Sequence, residues 1–253
     1  IKTWGRGNLN QRDDSPTEND FMIPSYLINE ESVQQNNDII IQQPLLEYDP
    51  KTRKTIACGK FHSVALRNDG TIKTWGSNEY NQRDDSPTDA GYIAVACGFY
   101  HSVALGNDGT IKTWGRGNLN QRDDSPTDDG YIAITCGVDH SVALRNDGTI
   151  KTWGNNQYNQ RDDSPTDNGY IAIACGISHN VALRNDGTIK TWGSNFENAR
   201  DDSPTDDGYI AIACGNYHSI ALRNDGTIKT WGNNQYNQRD DSPTDNGYIA
   251  IAC

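Results

Sequence analysis

The chain has no run of about 18 apolar residues, the minimum a membrane-crossing helix needs, so a helical membrane span is excluded. Positive charge is scarce: 22 Lys and Arg stand against 34 Asp and Glu, a formal net charge of −12. An acidic surface repels phosphate backbones, which excludes nucleic acid as a general partner. No C-x-x-C spacing occurs, so the usual zinc and redox motifs are absent. No nucleophile–base pair, phosphate-cradling glycine loop or cofactor fingerprint is found either. The sequence therefore argues against an enzyme and predicts neither cofactor nor metal. Apolar residues make up only 34% of the chain, a share that scattered positions would turn into disorder.

They are not scattered. Five of the six tryptophans, Trp75, Trp114, Trp153, Trp192 and Trp231, follow one another at 39 residues. Cys58, Cys97, Cys136, Cys175, Cys214 and Cys253 keep the same step, as do His62, His101, His140, His179 and His218. A fixed period of this size is the mark of a repeat architecture. Within one unit, Tyr92–Cys97 and His101–Asn107 are apolar runs of strand length, and Thr110–Trp114 is rich in β-branched and aromatic residues. Asp108-Gly109 between the last two is the signal of a two-residue primed hairpin turn. Three or four short strands per unit of about 40 residues predict a propeller blade.

The expected fold is all-β: a seven-bladed propeller over residues 1–253, or a six-bladed one carrying an insertion. Residues 55–253 hold five regular repeats and the start of a further one. Residues 1–20 read as a partial blade that completes the ring, and 21–54 as a decayed blade or an insertion. Cys58 and Trp75 are 17 residues apart, whereas joining Cys253 to Ile1 would leave only 4 to Trp4. The chain thus reads as a window cut from a longer polypeptide, and the lack of a leader carries no weight against secretion.

The run Cys97-Gly98-x-x-His101-Ser102-Val103-Ala104-Leu105, then Asn107-Asp108-Gly109, then Trp114-Gly115 through Asn120-Gln121, resembles the repeat of the regulator of chromosome condensation (RCC1) family. The short unit is nearer the compact microbial members, such as the propeller-type β-lactamase inhibitor protein. The resemblance implies a seven-bladed β-propeller closed by strands from both ends. The chain departs from the family in placing Asn, as at Asn81, Asn120 and Asn159, where a Gly usually precedes the Gln. One plant member senses light through tryptophans in the pair after Cys-Gly. That pair holds no Trp here, so no such role is implied.

Single histidines at the start of a strand, one per unit, are expected to make structural hydrogen bonds between strands or blades. The cysteines are expected to be small buried residues that end strands, reduced and mutually unpaired. Unpaired thiols point to a reducing, intracellular location or the inside of a virus particle. The tryptophans are expected to pack between blades. The recurring Arg-Asp-Asp-Ser-Pro-Thr segments lack the alternating ligands of a calcium loop and read as solvated turns.

Strands are almost invariant between copies, and variation is confined to three short segments. These are the pair after Cys-Gly, the stretch after Trp-Gly and the pair before Gly-Tyr. Eight variable positions are aromatic: Phe61, Phe99, Tyr100, Tyr217, Tyr80, Tyr158, Phe196 and Tyr236. Aromatics on loops are typical interface anchors, so these eight are the candidate partner-binding residues. The expected function is a non-enzymatic protein-binding or scaffold propeller whose variable loops grip another protein, of a kind the sequence does not name. Two other roles fit. One is a structural component of a particle or filament through self-association, as in a large DNA virus. The other is a regulator of a small GTPase acting through 21–54.

Overall fold

The computed structural model describes residues 55–253; the expectations placed on 1–20 and 21–54 lie outside the described residues. Five antiparallel three-stranded sheets follow one another along the chain. The first holds β1 (Ile56–Cys58), β2 (His62–Leu66) and β3 (Ile72–Gly76). The second holds β4 (Tyr92–Cys97), β5 (His101–Gly106) and β6 (Ile111–Gly115). Then come β7 (Tyr131–Cys136), β8 (His140–Arg145) and β9 (Ile150–Gly154), followed by β10 (Tyr170–Cys175), β11 (His179–Arg184) and β12 (Ile189–Gly193). The fifth holds β13 (Tyr209–Cys214), β14 (His218–Arg223) and β15 (Ile228–Gly232). The one helical element among the described residues is a single 3-10 turn, Phe196–Asn198.

Each blade is a meander whose middle strand is sandwiched on all sides, which is why every residue of β5 is buried. The blades stack face to face. Ala94, Ala96, Val103 and Leu105 of the second meet Tyr131, Ile134, Ala143 and Trp153 of the third. The same positions recur one repeat on, where Val142 and Leu144 meet Tyr170, Ala182 and Trp192. A modest apolar content thus suffices, because the repeat concentrates it on two faces of each thin sheet.

The hairpin differs from the two-residue primed turn that Asp-Gly predicts. Gly109 N–H donates to the Gly106 carbonyl at 3.1 Å, and Gly106 N–H donates to the Thr110 carbonyl at 2.9 Å, closing a three-residue loop. Only Gly109, at φ +81°, takes the left-handed conformation. A type I turn followed by one left-handed glycine has this pattern. Asp108 decides the outcome: its Oδ1 accepts from Thr110 N–H at 3.0 Å and from the Thr110 hydroxyl at 2.7 Å. That local cap holds Asp108 out of the positive-φ region a primed turn requires.

Innermost are β1, β4, β7, β10 and β13, whose ends, with Cys253, line one central cavity of about 290 Å³. The segments after Cys-Gly link blade to blade at its mouth. Lys60 N–H donates to the Phe99 carbonyl, Phe99 to Val138, Val138 to Ile177 and Ile177 to Asn216, at 3.0–3.1 Å.

Candidate functional site

Strand direction separates the two faces of the disc. Cys97 pairs with Ser102, and His101 with Gly115, so the end of β4, the start of β5 and the end of β6 lie on one face. That face carries the pair after Cys-Gly and the stretch after Trp-Gly in every described blade. The opposite face carries the repeated Asn-Asp-Gly-Thr turns. It also carries the pair before Gly-Tyr, since Tyr131 N–H donates to the Gly109 carbonyl at 3.0 Å. All eight candidate aromatics therefore project from one face.

The invariant residues hold that face in place. Each Trp-Gly…Asn-Gln segment is a cross-blade lock. The Gln121 side chain accepts from Leu119 N–H at 2.9 Å, and the Gln121 carbonyl accepts the indole N–H of Trp153 in the next blade at 3.0 Å. Trp114 donates in the same way to the Gln82 carbonyl, at 2.8 Å. The Asn before the Gln, where the family usually has Gly, sits at positive φ throughout, 64° at Asn120. Asn is the non-glycine residue that best tolerates that region, so the substitution preserves the loop. In the fourth blade Asn198-Ala199 replaces Asn-Gln, and the Ala199 carbonyl still accepts Trp231 N–H at 3.1 Å.

The histidines are a second lock. His62 Nε2 shares a hydrogen bond with the Ser102 hydroxyl at 2.8 Å, His101 with Ser141 at 2.9 Å and His179 with Ser219 at 2.8 Å. His140 Nε2 meets Asn180 Oδ1 at 2.7 Å. Each bond runs from one blade to the next, as the single histidine per unit suggests. The Gly after each Cys lies under this ring; a Cβ on Gly98 would stand 2.2 Å from His101 Cε1. Burial lowers His62, His140 and His179 to about 4, while burial and then repulsion from its histidine neighbours lower His101 to about 3. These rings are neutral locks.

A third lock was not visible in the repeat pattern. The Arg-Asp-Asp-Ser-Pro-Thr segments pair between blades: Arg122 with Asp85 at 3.1 Å, Arg239 with Asp202 at 2.8 Å, and Arg161 with Asp124. The signal lay in a spacing two short of the repeat, which only blade-to-blade geometry makes meaningful. These pairs are partly exposed and contribute little each.

The cysteines differ from the small, buried strand ends expected. None of the six is in a disulfide, and all converge on the central cavity, Cys58 and Cys253 exposed and the rest half-buried. The 39-residue step separates them along the chain, but five of them end the innermost strands of the described blades, so the ring gathers them around its axis. Among the described residues no group of three or more His, Cys, Asp or Glu could hold a metal ion. Burial pushes the Cys97 thiol well above the ordinary range. Titration of denatured protein is therefore expected to find six thiols with or without prior reduction. A lower count without reductant would mean that thiols facing one another across the axis had oxidised.

The eight aromatics form two clusters and one isolated residue. Phe61, Tyr80 and Phe99 surround Tyr100, with ring centroids 6.2, 5.1 and 6.2 Å from it. All four are half-buried. Phe196 and Tyr217 stand 5.2 Å apart and, with Tyr158, line a cavity of about 230 Å³ floored by Ile177 and Ala199. These three are 57%, 42% and 50% exposed. Tyr236, 78% exposed, belongs to neither cluster. Counting aromatics missed two cations in the same slots, Lys60 and Arg116. Lys60 Nζ lies 5.1–5.8 Å from the centroids of Phe61, Phe99 and Tyr100. The Arg116 guanidinium lies 5.3 and 5.4 Å from those of Tyr80 and Tyr100.

A family model, the regulator of chromosome condensation (RCC1) repeat, matches residues 54–82, 92–121, 131–160, 170–198 and 209–238. With more than half of the chain matched, the protein belongs to the RCC1 repeat family and its fold is the β-propeller of that family. No curated protein matches it in sequence. Among solved structures it is similar to human WBSCR16, at 23% identity and a TM-score of 0.57, over 71% of this chain and 61% of that one. It is similar to the CRINKLY WD40 ectodomain of the Arabidopsis thaliana receptor kinase ACR4, at 21% identity and a TM-score of 0.59, over 70% and 64%. It is also similar to Prp20p of Saccharomyces cerevisiae, at 22% identity and a TM-score of 0.56, over 70% and 56%. The chain thus spans under two thirds of the length of each of these three structures.

Proposed function

We propose that this propeller is a non-enzymatic binding module that holds another protein against its variable-loop face. The observation that carries the reading is the division of labour between residues. Trp, His, Gln and Gly are spent on locks between blades, while the variable slots of one face present aromatic rings that none of those locks uses. The cavity of about 230 Å³ under Tyr158, Phe196 and Tyr217 has the size of one large apolar side chain. Aromatic-lined pockets of this kind are typical hot spots. Prp20p, similar in fold, has been characterised for binding to Gsp1p and histones. The seven-blade count belongs to the same reading and rests on the repeat arithmetic. A reducing location belongs to it too and is supported by six cysteines outside any disulfide.

Phe196→Ala/Tyr217→Ala tests it. Both side chains are exposed, so unfolding free energy is expected to change by no more than ~0.5 kcal/mol. Affinity for the protein recovered from native material is expected to fall by more than ~1 kcal/mol, the threshold for an interface anchor. Unchanged affinity in a folded variant would contradict the reading. A structural role would instead give face-to-face stacking, seen in sedimentation as oligomers that the same two substitutions dissociate.

A further inference from the structure

Resting on that binding reading, we propose that Lys60 and Arg116 form an anion anchor that takes a carboxylate side chain from an acidic segment of the partner protein. Among the described variable slots, the pair after Cys-Gly contains one cation, Lys60, and the stretch after Trp-Gly contains one, Arg116. They belong to different blades, yet the structure stacks both on the same ring. Lys60 Nζ is 5.8 Å and the Arg116 guanidinium 5.4 Å from the Tyr100 centroid.

Two like charges held near one ring repel, and an anion drawn to them lowers that cost. The rings hold the cations by their π-faces but offer no lone pairs to the N–H donors, which stay available to an acceptor from outside. Arg116 Nε donates to Asn118 Oδ1 at 2.6 Å, and Asp139 lies 3.8 Å from Arg116 Nη1. The first contact orients the guanidinium, and the second is a partly exposed ion pair at a separation too long for a hydrogen bond. On a chain of net charge −12, most of the surface repels an acidic segment. A cationic anchor therefore sets the register in which such a partner docks, and attraction at one point against repulsion elsewhere gives specificity.

The test uses labelled hexaglutamate and hexaglutamine peptides, with binding read by fluorescence anisotropy at low salt and at about 0.5 M salt. Hexaglutamate is expected to bind, to weaken with salt, and to bind about tenfold more weakly to Lys60→Gln/Arg116→Gln. Hexaglutamine is expected not to bind. Near-UV circular dichroism checks the fold of the double variant; should it unfold, Lys60→Met and Arg116→Gln singly, each expected to weaken binding, replace it. Equal binding of both peptides, no binding of hexaglutamate, or no loss in the variants would overturn the anchor. Tighter binding of a phosphoserine peptide would overturn the choice of a carboxylate. Each failure leaves the outcome of the Phe196/Tyr217 experiment untouched, so the anchor can fall while the binding face stands.

Discussion

Trp114→Ala is expected to destabilise the protein by ~3–5 kcal/mol, the cost of truncating a buried aromatic. The indole is 1% exposed and fills the space between the first and second blades, against Val64, Val95 and Ala104. Its N–H is the partner of the Gln82 carbonyl, so the truncation also leaves a buried acceptor unpaired. Against a typical domain stability of ~5–15 kcal/mol, the loss is a large fraction of the whole. Trp114→Phe keeps most of the volume and removes only the donor, so it is expected to cost ~1–3 kcal/mol. Denaturant titration followed by tryptophan fluorescence separates the two. A Trp114→Ala loss below ~1 kcal/mol would mean that the blades do not depend on this lock.

Acid is expected to begin destabilising the protein at a pH above that at which carboxylates titrate. His62, His101, His140 and His179 are buried and neutral, with pKa values lowered by desolvation to about 4, 3, 4 and 4. In the unfolded chain each returns to about 6.5. The unfolded state therefore binds more protons between those values, and stability rises with pH across that window. The contribution is fully present above pH ~6.5 and is lost as pH falls towards ~4. Each ring is worth on the order of 3 kcal/mol, so four titrating together amount to on the order of 12 kcal/mol, comparable with a typical domain stability of ~5–15 kcal/mol. The denaturant midpoint is thus expected to fall steeply from pH ~6.5 downwards, with much of the stability lost by pH ~4. His101→Gln is expected to make that slope shallower by the proton it no longer takes up. A stability profile flat to pH ~5 and falling only below it would assign acid sensitivity to carboxylates instead.

The fold was legible because the sequence states it five times over. One Trp, one Cys and one His at a common step, with β-branched runs between them, leave little choice but a blade. The cross-blade partners were harder to read. That His101 meets Ser141 depends on how far each blade is rotated from the last, and spacing does not encode that angle. The same rotation gathers the cysteines, which the 39-residue step separates along the chain, around one axis. The Asp-Gly turn was misjudged because residue type alone does not say whether Asp108 caps Thr110 or turns left-handed. The aromatic candidates were found from variation between copies, and the structure brings seven of the eight into two clusters, with Tyr236 alone. Lys60 and Arg116 escaped because a lone cation in a loop carries no signal until a ring is seen beneath it.

Hydrogen–deuterium exchange of the chain, free and bound to the protein recovered from native material, tests the central claim most directly. Slowed exchange is expected at 60–61, 99–100, 116–119, 177–178, 194–197 and 216–217, with the turns at 107–110, 146–149, 185–188 and 224–227 unchanged. Slowing confined to those turns would place the partner on the opposite face and contradict the account.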